Sequence, residues 1–171
     1  MCSTKLLEAG APISGGYETV LSAVTDVAER SFFAMVDAVD EARFSESGAA
    51  VSEWLASAVT FDDGGCRGTV VCHVPSLLAD RLFDAFSGRD ADDPLPLVAE
   101  VHDLVGEFAN MVCGSWLTRA ANDRTFALCK PEVTVSATLT ADPASALRVE
   151  LDGSPLLIDI SFERAPAAAL A

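Results

Sequence analysis

The sequence predicts an α+β fold: a mainly antiparallel sheet with helices packed on one face. Three observations point there. Apolar residues recur at helical spacing in three separate segments, a strong hairpin signal sits between two β-prone runs, and strand-like segments follow one another after Asn122. Strands that cluster in sequence, rather than alternate with helices, form antiparallel sheets. The expected order is α-β-β-α-α-β-β-β.

Residues 1–16 carry Gly10, Pro12, Gly15 and Gly16 and read as an extension. A first helix is expected from about Tyr17 to Val39, with Val20, Leu21, Val24, Val27, Phe32 and Met35 near helical spacing. Phe44 to Ala50 reads as a loop or strand lead-in. Trp54 to Phe61 and Gly68 to Val74 are paired strands, joined through the turn Asp62-Asp63-Gly64-Gly65. Pro75-Ser76 opens a helix to Phe86, which Ser87-Gly88 ends. Arg89 to Pro96 is a charged, proline-bearing loop, and the longest helix follows from about Leu97 to Ala121. The remaining strands are Thr125 to Leu139, bent or split at Pro131, then Leu147 to Leu151 and Leu156 to Phe162. Asp152-Gly153 marks a second turn, and 165–171 reads as a flexible tail. With no interior linker, residues 1–171 are expected to form a single domain.

Composition narrows the function. A net charge of −15 makes nucleic acid and anionic membranes poor partners. No apolar stretch is long enough to span a bilayer, and no signal peptide is visible near Met1. Five cysteines with no C-x-x-C motif fit reduced thiols, and a cytoplasmic location is expected. His73 and His102 have no convergent ligand set, so no metal is expected on this chain. Ser14-Gly15-Gly16 lacks the lysine of a phosphate-binding loop, and Gly114-Ser115 lacks the pattern of a nucleophile elbow.

The chemistry concentrates in the longest helix. At about 100° per residue, Asp103, Glu107 and Asn110 fall within roughly 60° of one another, with Ala99 and Gly114 on the same side. Leu97, Val98, Val101, Leu104, Val105, Phe108 and Val112 oppose them and form a packing face. The result is a narrow polar stripe bordered by small residues. Glycine in a helix costs about 1 kcal/mol relative to alanine, so Gly106 and Gly114 call for an offsetting use. Polar stripes are ordinarily solvated surface, and this spacing alone does not separate that from a site.

The segment Asp103-x-x-x-Glu107-x-x-Asn110, with Met111 and Gly114, resembles the signature helix of the CheC/CheX/FliY chemotaxis phosphatases. The order of elements from about Tyr17 to Phe162 is similar as well. The family's motif continues to a distal proline; Pro131 is the counterpart, at a shorter spacing that leaves the register of its strand open. CheC-type members carry two Glu/Asn helices and CheX-type members one. Here Glu29 is followed three residues on by Phe32, so a single site is expected and the chain looks CheX-like.

The resemblance implies a phosphatase acting on the aspartyl phosphate of a CheY-like response regulator. Asn110 would orient the attacking water, Glu107 would pair with the regulator's lysine, and Asp103 and Gly114 would support docking. Mg²⁺ would sit on the regulator, with no cofactor on this chain, and a homodimer is implied. The alternative is a non-catalytic CheC-like binding or adaptor module of a chemotaxis or two-component pathway, and a dimerisation protein with an incidental polar helix is a third reading.

Overall fold

The computed structural model describes residues 16–90, 92–142 and 146–163. The expected tail, and the extension apart from Gly16, lie outside the described residues. The elements run α1 (Tyr17–Ser31), β1 (Val36–Ala38), α2 (Glu41–Gly48), β2 (Trp54–Asp62), β3 (Arg67–Pro75), α3 (Ser76–Ser87), α4 (Val98–Ala120), β4 (Ala127–Leu128), β5 (Glu132–Ser136), β6 (Leu147–Leu151) and β7 (Ser154–Glu163).

The strands form one sheet in the order β1-β6-β7-β3-β2, with β4 and β5 sharing the outer edge of β2. Every pairing is antiparallel. Alternation along the strands divides the sheet into two faces. Leu55, Val59 and Phe61 of β2, Val70, Cys72 and Val74 of β3, Leu147 and Val149 of β6, and Leu156 and Ile158 of β7 point to one face. There they pack against α1, α3 and α4 through Val20, Val24, Leu78, Leu82, Leu104, Phe108 and Val112. The expected fold class and the placement of the three longer helices therefore hold.

Two elements depart from the expected order. The first helix ends at Ser31 rather than Val39. Phe32 turns into the core, where its ring meets Phe86 at 5.4 Å and Phe108 at 5.3 Å. Phe33 then takes a left-handed conformation at φ 55°, which breaks the helical path. Tertiary pairing captures the next residues: the Met35 N–H donates to the Asp152 carboxylate at 3.0 Å, and Val36 pairs with Leu151. The helical period through Met35 is thus overridden, and β1 forms instead.

The stretch read as a loop at Phe44 to Ala50 belongs mostly to α2. Asp40 caps that helix, its carboxylate accepting the Arg43 N–H at 2.8 Å, and Glu41 favours the first turn. This short helix lies on the opposite face of the sheet from the other three. Phe44 packs there with Trp54, Leu157 and Ala146, alongside Leu139 and Ala141.

The cysteines Cys72, Cys113 and Cys129 carry free thiols, as the composition suggested. Cys66 departs from that reading, being disulfide-bonded.

A fork of two hydrogen bonds fastens α2 to β6. Arg43 donates Nε to Glu150 Oε1 at 3.0 Å and Nη2 to Oε2 at 3.1 Å. The guanidinium holds the Glu150 carboxyl below the ordinary glutamate value of 4.5. A depressed carboxylate stabilises the fold fully above 4.5 and loses that contribution as pH falls through its folded pKa. Melting temperatures of the wild type and Arg43→Met, compared from neutral pH downward, should differ most above pH 4.5. The gap should close under more acidic conditions; a gap indifferent to pH would contradict the assignment.

Candidate active site

Helix α4 begins where Glu100 reaches back to accept the Leu97 N–H at 2.7 Å, satisfying a backbone donor ahead of the first turn. Its apolar face is buried over the sheet from Val101 onward, whereas Leu97 and Val98, expected on that face, lie at the start of the helix ahead of the packed region and are exposed. Val105, Phe108, Val112 and Cys113 are almost wholly enclosed, and Trp116 meets the edge of Phe61 at 5.5 Å. Alongside, Arg119 binds Asp26 of α1 at 3.0 Å. A helix seated this firmly has little freedom to rotate, so its outward face is a fixed platform.

That face carries the residues singled out from sequence. Asp103 and Glu107 are exposed, and Asn110 and Gly114 are half-buried. None of the four is turned into the core. Among the described residues no hydrogen bond or ion pair engages the side chains of Asp103, Glu107 or Asn110, so their polar groups face outward without an intramolecular task. No group of three or more histidine, cysteine or acidic side chains that could hold a metal occurs among the described residues.

The two helix glycines prove different. A Cβ on Gly106 would lie 3.2 Å from Cβ of Pro131 and 3.9 Å from Cγ2 of Val133, so its bare backbone admits the chain leading into β5. A Cβ on Gly114 would meet nothing within 4 Å. Gly106 is offset by packing inside this chain, whereas Gly114 leaves open space on the polar stripe.

The contact at Pro131 also answers the question of register. Leu128 lies opposite Phe61, and Glu132 lies opposite Ala58. Between these points Val59 and Thr60 of β2 face three residues, Cys129, Lys130 and Pro131. This is a β-bulge, anchored by the Cys129 N–H to the Thr60 carbonyl at 2.8 Å. The shortened spacing from Asn110 to the proline is thus accommodated, with Pro131 seated against α4 beside the stripe.

The segment from Arg124 to Pro131 walls the stripe on one side. Arg124 pairs with Asp63 in the β2–β3 turn and stacks over Phe126 at 5.1 Å. A groove of about 250 Å³ runs between this wall and the end of α4, lined by Gly114, Leu117, Thr118, Arg124, Phe126 and Leu128 among others. The wall was not expected from sequence beyond Pro131, because only strand pairing brings it to the helix.

Comparison with known proteins agrees with this architecture. A family model described as "Chemotaxis phosphatase CheX" matches residues 55–151, a span that includes α4 and Pro131. A search of curated protein sequences finds no match. Among solved structures, the chain is similar to the chemotaxis protein CheX from Vibrio vulnificus, with TM-score 0.66 and 19% identity over 91% of this chain and 100% of that one. It is similar to CheX from Desulfovibrio desulfuricans, with TM-score 0.63 and 16% identity over 87% and 99%. A third neighbour is the CheX-CheY-BeF3-Mg²⁺ complex from Borrelia burgdorferi, with TM-score 0.57 and 15% identity over 86% and 97%. With the family model covering more than half its length and its fold shared with these structures, this chain belongs to the CheX family.

Proposed function

We propose that this chain hydrolyses the aspartyl phosphate of a CheY-like receiver domain. The observation that carries the reading is the pairing of Glu107 and Asn110, one turn apart, on the outward face of a helix whose other face is locked into the core. Membership of a family described as a chemotaxis phosphatase supports it, as does a structural neighbour captured with CheY and a beryllofluoride group.

An acyl phosphate is already labile, so catalysis reduces to placing a water in line with the leaving oxygen and managing charge. Asn110 supplies an amide that can donate and accept hydrogen bonds and does not titrate, which suits it to hold that water. Glu107, an exposed carboxylate, pairs with the receiver's lysine and sets the docking register. Asp103, one turn earlier, supports the same contact, and the open space at Gly114 lets the partner approach the helix backbone. The receiver contributes Mg²⁺; this chain binds no cofactor of its own. The protein acts in the cytoplasm as a homodimer.

The test is phosphate release from a CheY-type receiver of the same genome charged with acetyl phosphate, followed with and without this protein. Release should accelerate at substoichiometric protein. Binding to the charged receiver without faster release would favour the adaptor reading, and absence of both would refute the partner class.

A further inference from the structure

We propose that the groove between the end of α4 and the wall seats a large apolar side chain of the docked receiver, carried on the surface that flanks its phosphorylated aspartate. This proposal deepens the phosphatase reading above and rests on it.

Gly114 belongs to the stripe and to the groove at once. It follows Asn110 by four residues, so the two are neighbours on consecutive turns, about 6 Å apart along the helix axis. Thr118 continues the same line one turn further and also lines the groove. A stable protein interface buries about 800 Å² on each partner, a footprint several helical turns across. A receiver that brings its phosphoryl group to Asn110 therefore lies over the mouth of the groove as well.

The lining selects an apolar occupant. Leu117 and Phe126 pack on the core from one side and line the groove from the other, and Leu128 lines it while 36% exposed. Arg124, the one charged residue of the lining, is engaged: it pairs with Asp63 and lies over the Phe126 ring. The Thr118 hydroxyl is engaged too, donating to the Gly114 carbonyl at 2.8 Å. Asn122 and Thr125 complete the lining and are exposed. A charged group entering from a partner would lose water without gaining a counter-charge. An aliphatic or aromatic side chain would instead cover the carbons that Leu128 and Phe126 leave open to solvent.

Gly114 supplies an independent reason. A glycine inside a helix costs about 1 kcal/mol relative to alanine, yet a Cβ at this position would meet nothing within 4 Å. No contact among the described residues requires the glycine, so its use lies with a partner: it keeps the mouth of the groove open. Interfaces concentrate their energy in such places, where one apolar anchor fills a pocket ringed by weaker contacts. The exposed ion pair proposed for Glu107 is screened and weak on its own. With a second, apolar contact beyond Gly114, Asn110 lies between two fixed points, and the register of the receiver along α4 is set to within the tolerance that in-line attack demands.

The experiment compares wild type, Leu128→Gln, Leu128→Met, Thr118→Phe and Asn110→Ala, each checked for folding by thermal melting. It measures affinity for a CheY-type receiver loaded with beryllofluoride and Mg²⁺, and phosphate release against the concentration of acetyl-phosphate-charged receiver. Leu128→Gln should weaken binding about ten-fold, the worth of one partly buried apolar side chain, with the loss in KM rather than kcat. Leu128→Met should bind nearly as wild type. Thr118→Phe, which enlarges an exposed lining residue, should weaken docking as Leu128→Gln does. The occupant is then found by changing the exposed apolar residues around the receiver's phosphorylation pocket to alanine, one at a time. One of them should weaken the wild-type complex about ten-fold yet cost the Leu128→Gln complex little more. Undiminished affinity in folded Leu128→Gln and Thr118→Phe, or losses that simply add for every receiver residue, would overturn the assignment. If Asn110→Ala is inactive while the groove variants bind as wild type, only the groove falls. If the wild type neither binds nor dephosphorylates the charged receiver, the phosphatase reading falls and takes the groove with it.

Discussion

Asn110→Ala is expected to lower receiver dephosphorylation by at least about 100-fold, the scale on which a positioned group acts on a proton-bearing nucleophile. Docking and stability should be nearly untouched. The separation follows from where the side chain sits. Asn110 is half-buried on the stripe, its backbone is held inside a 23-residue helix, and its amide makes no hydrogen bond to the described residues that truncation would break. Asn110→Asp is the sharper version. It preserves shape but replaces an N–H donor with a negative oxygen, which repels the phosphoryl group and cannot donate to it. Glu107→Ala should behave differently, weakening docking and rate together, because its proposed partner is the receiver's lysine. Single-turnover phosphate release, with receiver affinity measured separately, distinguishes the two patterns. An Asn110→Ala protein that binds the receiver and releases phosphate at the original rate would remove the amide from the mechanism.

The face of α4 was legible in sequence because it depends on one number, the helical period. Once Leu104, Val105, Phe108 and Val112 are committed to the core, the positions of Asp103, Glu107 and Asn110 follow. The hairpin of β2 and β3 was legible for a similar local reason, since Asp63 accepts the N–H groups of Gly65 and Cys66 within the turn itself. What stayed hidden depends on partners distant in the chain. Val36 to Ala38 becomes a strand only because Leu151 and Asp152 are there to meet it. The wall beside the stripe is set by a bulge against Val59 and Thr60, and no local pattern announces a bulge. Only α2 left a readable trace, the Asp40 cap followed by Glu41, in a segment whose apolar content was too low to mark a helix.

Gly68→Ala is expected to destabilise the fold by about 3 kcal/mol, at the upper end of overpacking costs, and to lower the melting temperature by about 10 °C. A Cβ at this position would lie 2.4 Å from the Ser161 carbonyl oxygen and 2.5 Å from Cζ of Phe61. Neither neighbour can yield cheaply. The carbonyl belongs to the β7 strand paired with β3, and the Phe61 ring, opposite Gly68 in the register, lies over the space the glycine leaves. That ring is edge-on to Trp116 at 5.5 Å, Phe126 at 5.8 Å and Phe162 at 5.8 Å. Moving it disturbs the last turns of α4 and Phe126 of the wall at once, so the groove beside Gly114 should loosen along with the fold. Gly114→Ala is the internal control, because its new methyl enters open space and relieves a helix-interior glycine, a gain of up to about 1 kcal/mol. Thermal denaturation of both variants separates the two kinds of glycine. A Gly68→Ala protein as stable as wild type would mean that the ring of Phe61 does not rest on that backbone, and that the C-terminal half of α4 is held in place by something else.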